Sequence, residues 1–60
     1  MKAKNVTVGT RIFERLGTTR DGIYGEIVSN KSRQGDEVVI VEWDEGSVSH
    51  KNINDIEIIS

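Results

Sequence analysis

Apolar residues occur in short runs separated by polar segments. The strongest run, VVIVEW over residues 38–43, ends at the only tryptophan of the chain. Val, Ile and Trp favour a pleated, half-buried surface. The DEGS segment at residues 44–47 then supplies an acidic side chain that can bond the local backbone and a glycine that tolerates positive φ. This pattern predicts a β-hairpin, with the third strand of the fold over residues 38–44 and its turn over residues 44–47.

The other apolar segments predict short strands and one turn. TRIFERL at residues 10–16 indicates a strand rather than a helix, because it is short, lies between two glycines and lacks a capped apolar stripe. IYGEIVS at residues 23–29 predicts the second strand, in which Gly25 marks a bulge, a bend or a close approach of two backbones. Residues 48–50 predict a short fourth strand, residues 51–55 a single 3-10 turn and residues 56–58 the closing strand.

These elements predict one small domain with one core. A chain of 60 residues buries only about 60% of the surface that it exposes when unfolded, so a small closed sheet or assembly with other copies is expected. Residues 1–7 are polar and are predicted to form a flexible lead-in, followed by the domain over residues 8–60. The predicted core comprises Val8, Ile12, Ile23, Ile27, Val39, Val41, Trp43, Val48, Ile53, Ile56 and Ile58.

The order of these elements resembles the SH3-like barrel, in its KOW, Tudor-like and Mind-bomb-type branches. The third strand and turn of those branches often read V-x-V-x-W-D-x-G, which is matched here by Val39, Val41, Trp43, Asp44 and Gly46. The G-x-V of their second strand is similar to residues 25–27, and the resemblance covers residues 8–59. It implies an all-β, five-stranded SH3-like barrel with one 3-10 turn before the last strand. It implies little about function, because this barrel hosts many unrelated activities.

Charge is distributed unevenly along the chain. The net charge of −2 argues against a general nucleic-acid binder. Residues 1–33 carry seven basic and three acidic side chains, whereas residues 34–60 carry one basic and seven acidic side chains. This asymmetry indicates either a basic face opposite an acidic face or strands from both halves that interleave and mix the charges. Interleaving is the favoured interpretation, because closed sheets bring distant segments side by side.

Few residues have catalytic or metal-binding chemistry. The chain has no cysteine and one histidine, His50, which lies beside a lysine and near two asparagines. A lone histidine in this setting is typical of a surface position, and no spacing of ligands indicates zinc. We therefore expect a non-enzymatic protein without a cofactor or metal. No apolar run approaches the length of a membrane span and no secretory signal is evident, so we expect a cytoplasmic protein without a membrane partner or small-molecule substrate.

Two hypotheses about function remain. The first is a protein-binding or assembly-modulating small accessory protein, whose partner is another protein or a second copy, bound through Tyr24 and the acidic rim at residues 42–45. The alternative is a KOW-like nucleic-acid binder that uses basic loops 17–22 and 30–36, which we expect on the same side of the sheet. A Tudor-type aromatic cage is not predicted, because the tryptophan is assigned to the core. The candidate binding residues are Arg11, Arg15, Arg20, Tyr24, Lys31, Arg33, Glu42, Asp44 and Glu45.

Overall fold

The computed structural model describes residues 2–59. Met1 of the predicted lead-in and Ser60 of the predicted domain lie outside this range. A short 3-10 helix, Ala3–Asn5, precedes the first strand, and a second one, Ile53–Asp55, precedes the last strand. Neither of these helices is long or apolar enough to cross a membrane. The five strands are β1 (Arg11–Arg15), β2 (Gly22–Ser29), β3 (Val38–Trp43), β4 (Val48–Asn52) and β5 (Glu57–Ile58).

All five strands form one antiparallel sheet in the order β4-β3-β2-β1-β5. The predictions of an all-β chain, of a strand rather than a helix at residues 10–16, and of a 3-10 turn before the last strand are therefore confirmed. β4 extends two residues further than expected, to Asn52, and the second 3-10 helix follows directly. The Asn52 side chain begins that helix by accepting a hydrogen bond from the Asn54 backbone N–H.

The sheet is strongly curved. Glu14 on β1 and Lys51 on β4 form an ion pair with a distance of 2.9 Å between the carboxylate oxygen and the ammonium nitrogen. Two strands lie between β1 and β4, so in a flat sheet their backbones would be about 14 Å apart. Both side chains point to the same face as the core residues, since Glu14 lies two positions after the buried Ile12 on β1 and Lys51 is the cross-strand partner of the buried Val39. The concave inner face therefore brings β1 and β4 towards each other. β4 and β5 nevertheless remain the two edges of the sheet, so the closure expected of a barrel is not observed among residues 2–59.

Gly25 leaves room for two side chains of β3 to pack against β2. A Cβ atom at this position would lie 2.8 Å from both the Trp43 ring and the Val41 side chain, and 2.9 Å from the Glu42 carbonyl oxygen. The register is regular at Gly25, so this glycine does not mark a bulge; the close approach here is mainly that of the Trp43 and Val41 side chains. The irregularity in register occurs further along β2, between Ile27 and Ser29.

The core was predicted correctly at most interior strand positions and wrongly at the margins. Val8, Ile23, Val48 and Ile58 are exposed, so their assignment to the core is wrong. Val48 pairs with Glu42 on the outer face, and Ile58 belongs to a two-residue edge strand, so the sheet does not cover either side chain. The predicted core residues that are buried are Ile12, Ile27, Val39, Val41, Trp43, Ile53 and Ile56.

The N-terminal segment contributes two further core residues. Ala3 and Val6 are buried, whereas Val8 is 52% exposed. The Ala3 N–H donates to the Asp36 carbonyl at 2.8 Å, and the Asn30 side-chain amide donates to the Val6 carbonyl at 2.8 Å. Ala3 and Val6, predicted to lie in a lead-in outside the domain, therefore pack into its core.

Candidate functional site

The two basic loops lie at opposite ends of β2. The β1–β2 loop precedes Gly22 and the β2–β3 loop follows Ser29, so an eight-residue strand of roughly 23 Å separates them. The expectation that loops 17–22 and 30–36 share one side of the sheet is therefore wrong. Consecutive connections of an antiparallel meander alternate between its two ends, and loop composition carries no information about that alternation.

Other segments of the chain lie beside each end of β2. The turn at residues 44–47 lies beside the β1–β2 loop, since the Asp44 N–H donates to the Tyr24 carbonyl at 3.0 Å. We call the end of the sheet formed by residues 16–21 and 44–47 the open end. We call the other end the closed end. There the N-terminal segment and the second 3-10 helix, Ile53–Asp55, pack against the β2–β3 loop at residues 30–37. The Ile53 N–H there donates to the Glu37 carbonyl at 2.7 Å.

Four carboxylates cluster on the outer face of β2 and β3 and in the turn that follows. Glu26 and Glu42 are direct cross-strand partners, and both are exposed. Like charges placed directly opposite each other destabilise a sheet. Asp44 and Glu45 continue the negative charge into the turn at the open end. We call these four residues, Glu26, Glu42, Asp44 and Glu45, the acidic face.

Arg11 partly neutralises this face. It pairs with Glu26 across β1 and β2, but its guanidinium extends to Asp44 and makes two hydrogen bonds to that carboxylate, both 2.9 Å long. The hydrogen bond from Arg11 lowers the pKa of Asp44 and opposes the smaller effect of desolvation. The same bond raises the pKa of Arg11. One cation therefore faces four carboxylates, and the acidic face keeps a net negative charge.

Tyr24 lies beside the acidic face and contacts a second aromatic ring. The ring centroids of Phe13 and Tyr24 are 4.8 Å apart with a tilt of 51°. Arg15 lies over the Phe13 ring at 5.8 Å and pairs with Glu57 at 3.5 Å. Tyr24 is 50% exposed, whereas Trp43 is buried on the inner face. The three aromatic residues therefore do not surround one common space, as an aromatic cage requires.

A shallow groove joins Tyr24 to the acidic turn. It has a volume of about 280 Å³ and its lining has more apolar than polar surface. The tyrosine ring provides an aromatic wall, and two carboxylates provide charge beside it. Such a groove can receive a side chain with an apolar stem and a positively charged head. The lining residues are Gly22, Ile23, Tyr24, Trp43, Asp44 and Glu45.

The remaining basic candidates are divided between the two ends. Arg20 lies in the exposed β1–β2 loop at the open end, and Arg33 lies exposed in the β2–β3 loop at the closed end. Lys31 lines a second cavity at the closed end together with Lys2 and Lys4. The sequence did not single out either N-terminal lysine, because only the folded chain places them beside a residue nearly thirty positions away.

Glu26 is the other residue that the sequence analysis missed. Its position two residues after Tyr24 in a predicted strand was a usable signal, since residues i and i+2 of a strand share a face. The register with Glu42 could not be read from the sequence, because it depends on how β2 pairs with β3.

The histidine forms a contact that holds a loop. The Ser32 hydroxyl lies 2.9 Å from His50 Nδ1 and also accepts a hydrogen bond from the Gln34 N–H at 3.1 Å. This contact ties the β2–β3 loop to β4. Within residues 2–59, no group of three or more His, Asp or Glu side chains is arranged to hold a metal ion.

Charges from the two halves of the chain are interleaved. Each of the four ion pairs among residues 2–59 joins a residue of the first half to one of the second half. The favoured interpretation of the charge asymmetry therefore holds for these pairs.

Comparison of the chain with family models, curated proteins and solved structures found no match.

Proposed function

We propose that the protein is a non-enzymatic, SH3-like interaction module that binds another protein through the outer face of β2 and β3. The SH3-like assignment is supported by the strand order, by the 3-10 helix before β5 and by the Glu14–Lys51 contact between strands that are not neighbours. The proposed partner presents a Lys or Arg side chain next to an apolar one, in an extended segment or on a surface.

The observation that carries this proposal is the cross-strand pair of Glu26 and Glu42. Two adjacent carboxylates on an exposed sheet reduce stability by roughly 0.2–1 kcal/mol when no cation balances them. The guanidinium of Arg11 hydrogen-bonds to Asp44 and attracts Glu26 only through its charge. The pair is therefore balanced in part, and none of the ion pairs among residues 2–59 involves Glu26 or Glu42. A cation from a partner would relieve the repulsion, so the pair favours binding at the expense of stability.

The groove beside Tyr24 supports the same partner chemistry. An exposed tyrosine combines a large rigid apolar surface with a hydroxyl that stays in water, and such residues are enriched at protein interfaces. The groove extends the acidic face towards Glu45, so one bound segment can contact both. A second copy of the chain is a less suitable partner for a symmetric contact here, because it would present the same negative face.

A pull-down from cell lysate with single-site variants tests the proposal. We expect that Tyr24→Ala and Glu42→Gln each abolish capture of a specific partner. Leu16→Ala and Asp55→Asn should leave capture unchanged, since these residues are also exposed but lie off the proposed surface. We also expect Glu42→Gln to be at least as stable as the parent. Capture that is insensitive to Tyr24→Ala and Glu42→Gln contradicts the proposal.

The alternative of a nucleic-acid binder that uses both basic loops is less favoured, because β2 separates those loops. A gel shift at two salt concentrations distinguishes the hypotheses. Binding through phosphates weakens steeply as salt increases. A salt-sensitive shift that requires both Arg20 and Arg33 would favour the nucleic-acid alternative over a protein partner.

A further inference from the structure

The closed end contains a small basic cavity that is separate from the acidic face. Its volume is about 240 Å³, and it is lined by side chains of the N-terminal segment and of the β2–β3 loop. Three of these side chains are lysines and one is an aspartate, so the lining carries a net charge of +2. The lining residues are Lys2, Lys4, Asn30, Lys31, Ser32, Gly35 and Asp36.

Two hydrogen bonds fix the geometry of this cavity. The backbone bond from Ala3 to Asp36 and the side-chain bond from Asn30 to Val6 attach the N-terminal segment to the loop on both sides of Lys4. Burial of Ala3 and Val6 holds the same segment against the core. The lysines are therefore brought together by packed and hydrogen-bonded backbone, although their side chains remain exposed.

The positive charge of the cavity is only partly balanced. Lys2 forms a long ion pair of 3.8 Å with Asp36, and both side chains are largely in solvent. The four ion pairs within residues 2–59 involve neither Lys4 nor Lys31. Three lysines line one concavity beside a single aspartate, so the cavity attracts a multivalent anion.

We propose that this cavity binds a phosphate-bearing anion, with Lys2, Lys4 and Lys31 as its ligands. A phosphate carries up to two negative charges and three acceptor oxygens, which matches the net charge of the lining better than a single carboxylate does. Lysine binds phosphate as a mobile point charge and needs no fixed fork geometry. The cavity is compact and is not an extended basic stripe, which favours a short oligophosphate over a long polyanion.

Titration with tripolyphosphate, followed by backbone amide NMR of the full chain, tests the site. We expect shifts confined to residues 2–6 and 30–36, and binding that weakens with salt. The double variant Lys4→Gln with Lys31→Gln should raise Kd about tenfold or more, because it removes two of the three cations that line the cavity.

A charge-matched control separates the site from general attraction. Arg15→Gln with Arg20→Gln removes the same number of charges at the open end and should leave the Kd for tripolyphosphate within about twofold of the parent. The proposal is overturned by equal weakening in both double variants, by shifts spread over the whole surface, or by no saturable binding at low salt.

The source of the phosphate is resolved by a second titration with a short single-stranded oligonucleotide. If the oligonucleotide shifts the same residues and binds more tightly than tripolyphosphate, the natural ligand is a nucleic-acid backbone. Tighter binding of tripolyphosphate indicates a free oligophosphate. Both results support the phosphate site, whereas oligonucleotide binding at the open end alone contradicts it.

Discussion

The two ends of the sheet are built from different amounts of chain and are stabilised differently. At the closed end, the β2–β3 loop is bonded to the N-terminal segment, to the second 3-10 helix and to β4. At the open end, the β1–β2 loop bonds mainly to itself and to β1, through Thr19 and Arg15. Apolar side chains at the open end, such as Leu16 and Ile23, remain exposed.

This difference shows how a very small chain distributes limited apolar burial. Ala3, Val6 and Ile53 extend the core towards the closed end. Trp43 and Ile56 fill it towards the open end, since the register of β5 with β1 runs from Ile58 beside Ile12 to Glu57 beside Phe13. The open end is additionally held by the Arg11–Asp44 ion pair on the outer face. Exposed ion pairs contribute little, so the stability of the open end depends mainly on its buried side chains, of which Trp43 is the largest.

The largest effect is expected at that tryptophan. Trp43→Ala removes the large buried ring at the open end and should lower the free energy of unfolding by about 3–5 kcal/mol. Domain stability is typically about 5–15 kcal/mol, and a chain of this length is expected near the lower limit. Urea unfolding monitored by circular dichroism measures the change, with the exposed Val48→Ala as control. A variant that unfolds like the parent would show that Trp43 does not support the open end.

A matched valine pair tests the contribution of the N-terminal segment to the closed end. Val6→Ala should cost about 1–3 kcal/mol, because the side chain is buried and its removal leaves a cavity. Val8→Ala should change stability by less than about 0.5 kcal/mol, since that side chain is mostly in solvent. Equal effects of the two substitutions in urea unfolding would mean that the segment does not pack at the closed end.

The ion pair at the open end should give a pH dependence of defined sign. Because Arg11 lowers the pKa of Asp44 in the folded chain, the pair stabilises the fold above the ordinary pKa of an aspartate. That contribution is lost as the pH falls through the lowered pKa. The difference in Tm between the parent and Asp44→Asn should therefore be present at neutral pH and should disappear in strong acid. A difference that grows towards acid pH contradicts this assignment.

The smallest effect is expected for two exposed arginines, one at each end. Arg20→Ala and Arg33→Ala should each change the free energy of unfolding by less than about 0.5 kcal/mol, because neither forms an ion pair within residues 2–59. Thermal unfolding of the single and double variants measures this. A loss of several kcal/mol at Arg33 alone would show that the closed end includes a buried network around that residue.

Local pattern was sufficient to predict much of the fold. The β-branched run before Trp43 and the Asp-x-Gly turn determined the β3–β4 hairpin, because strand and turn preferences act over a few neighbouring residues. The isolated Ile53 among polar residues was enough to predict a 3-10 turn that inserts one side chain into the core. Tyr24 and residues 42–45 were identified as candidates from residue type and position alone.

Tertiary structure decided what the candidates can do together. The alternation of loops along β2 separated Arg20 from Arg33, and the register of β2 with β3 placed Glu26 opposite Glu42. Packing of Ala3 and Val6 brought two N-terminal lysines to Lys31. The sequence by itself determined the strands, the turns and the types of side chain available, because these depend on local preferences and periodicity. Only the folded chain decided which charges became neighbours, because that depends on contacts between residues far apart in the sequence.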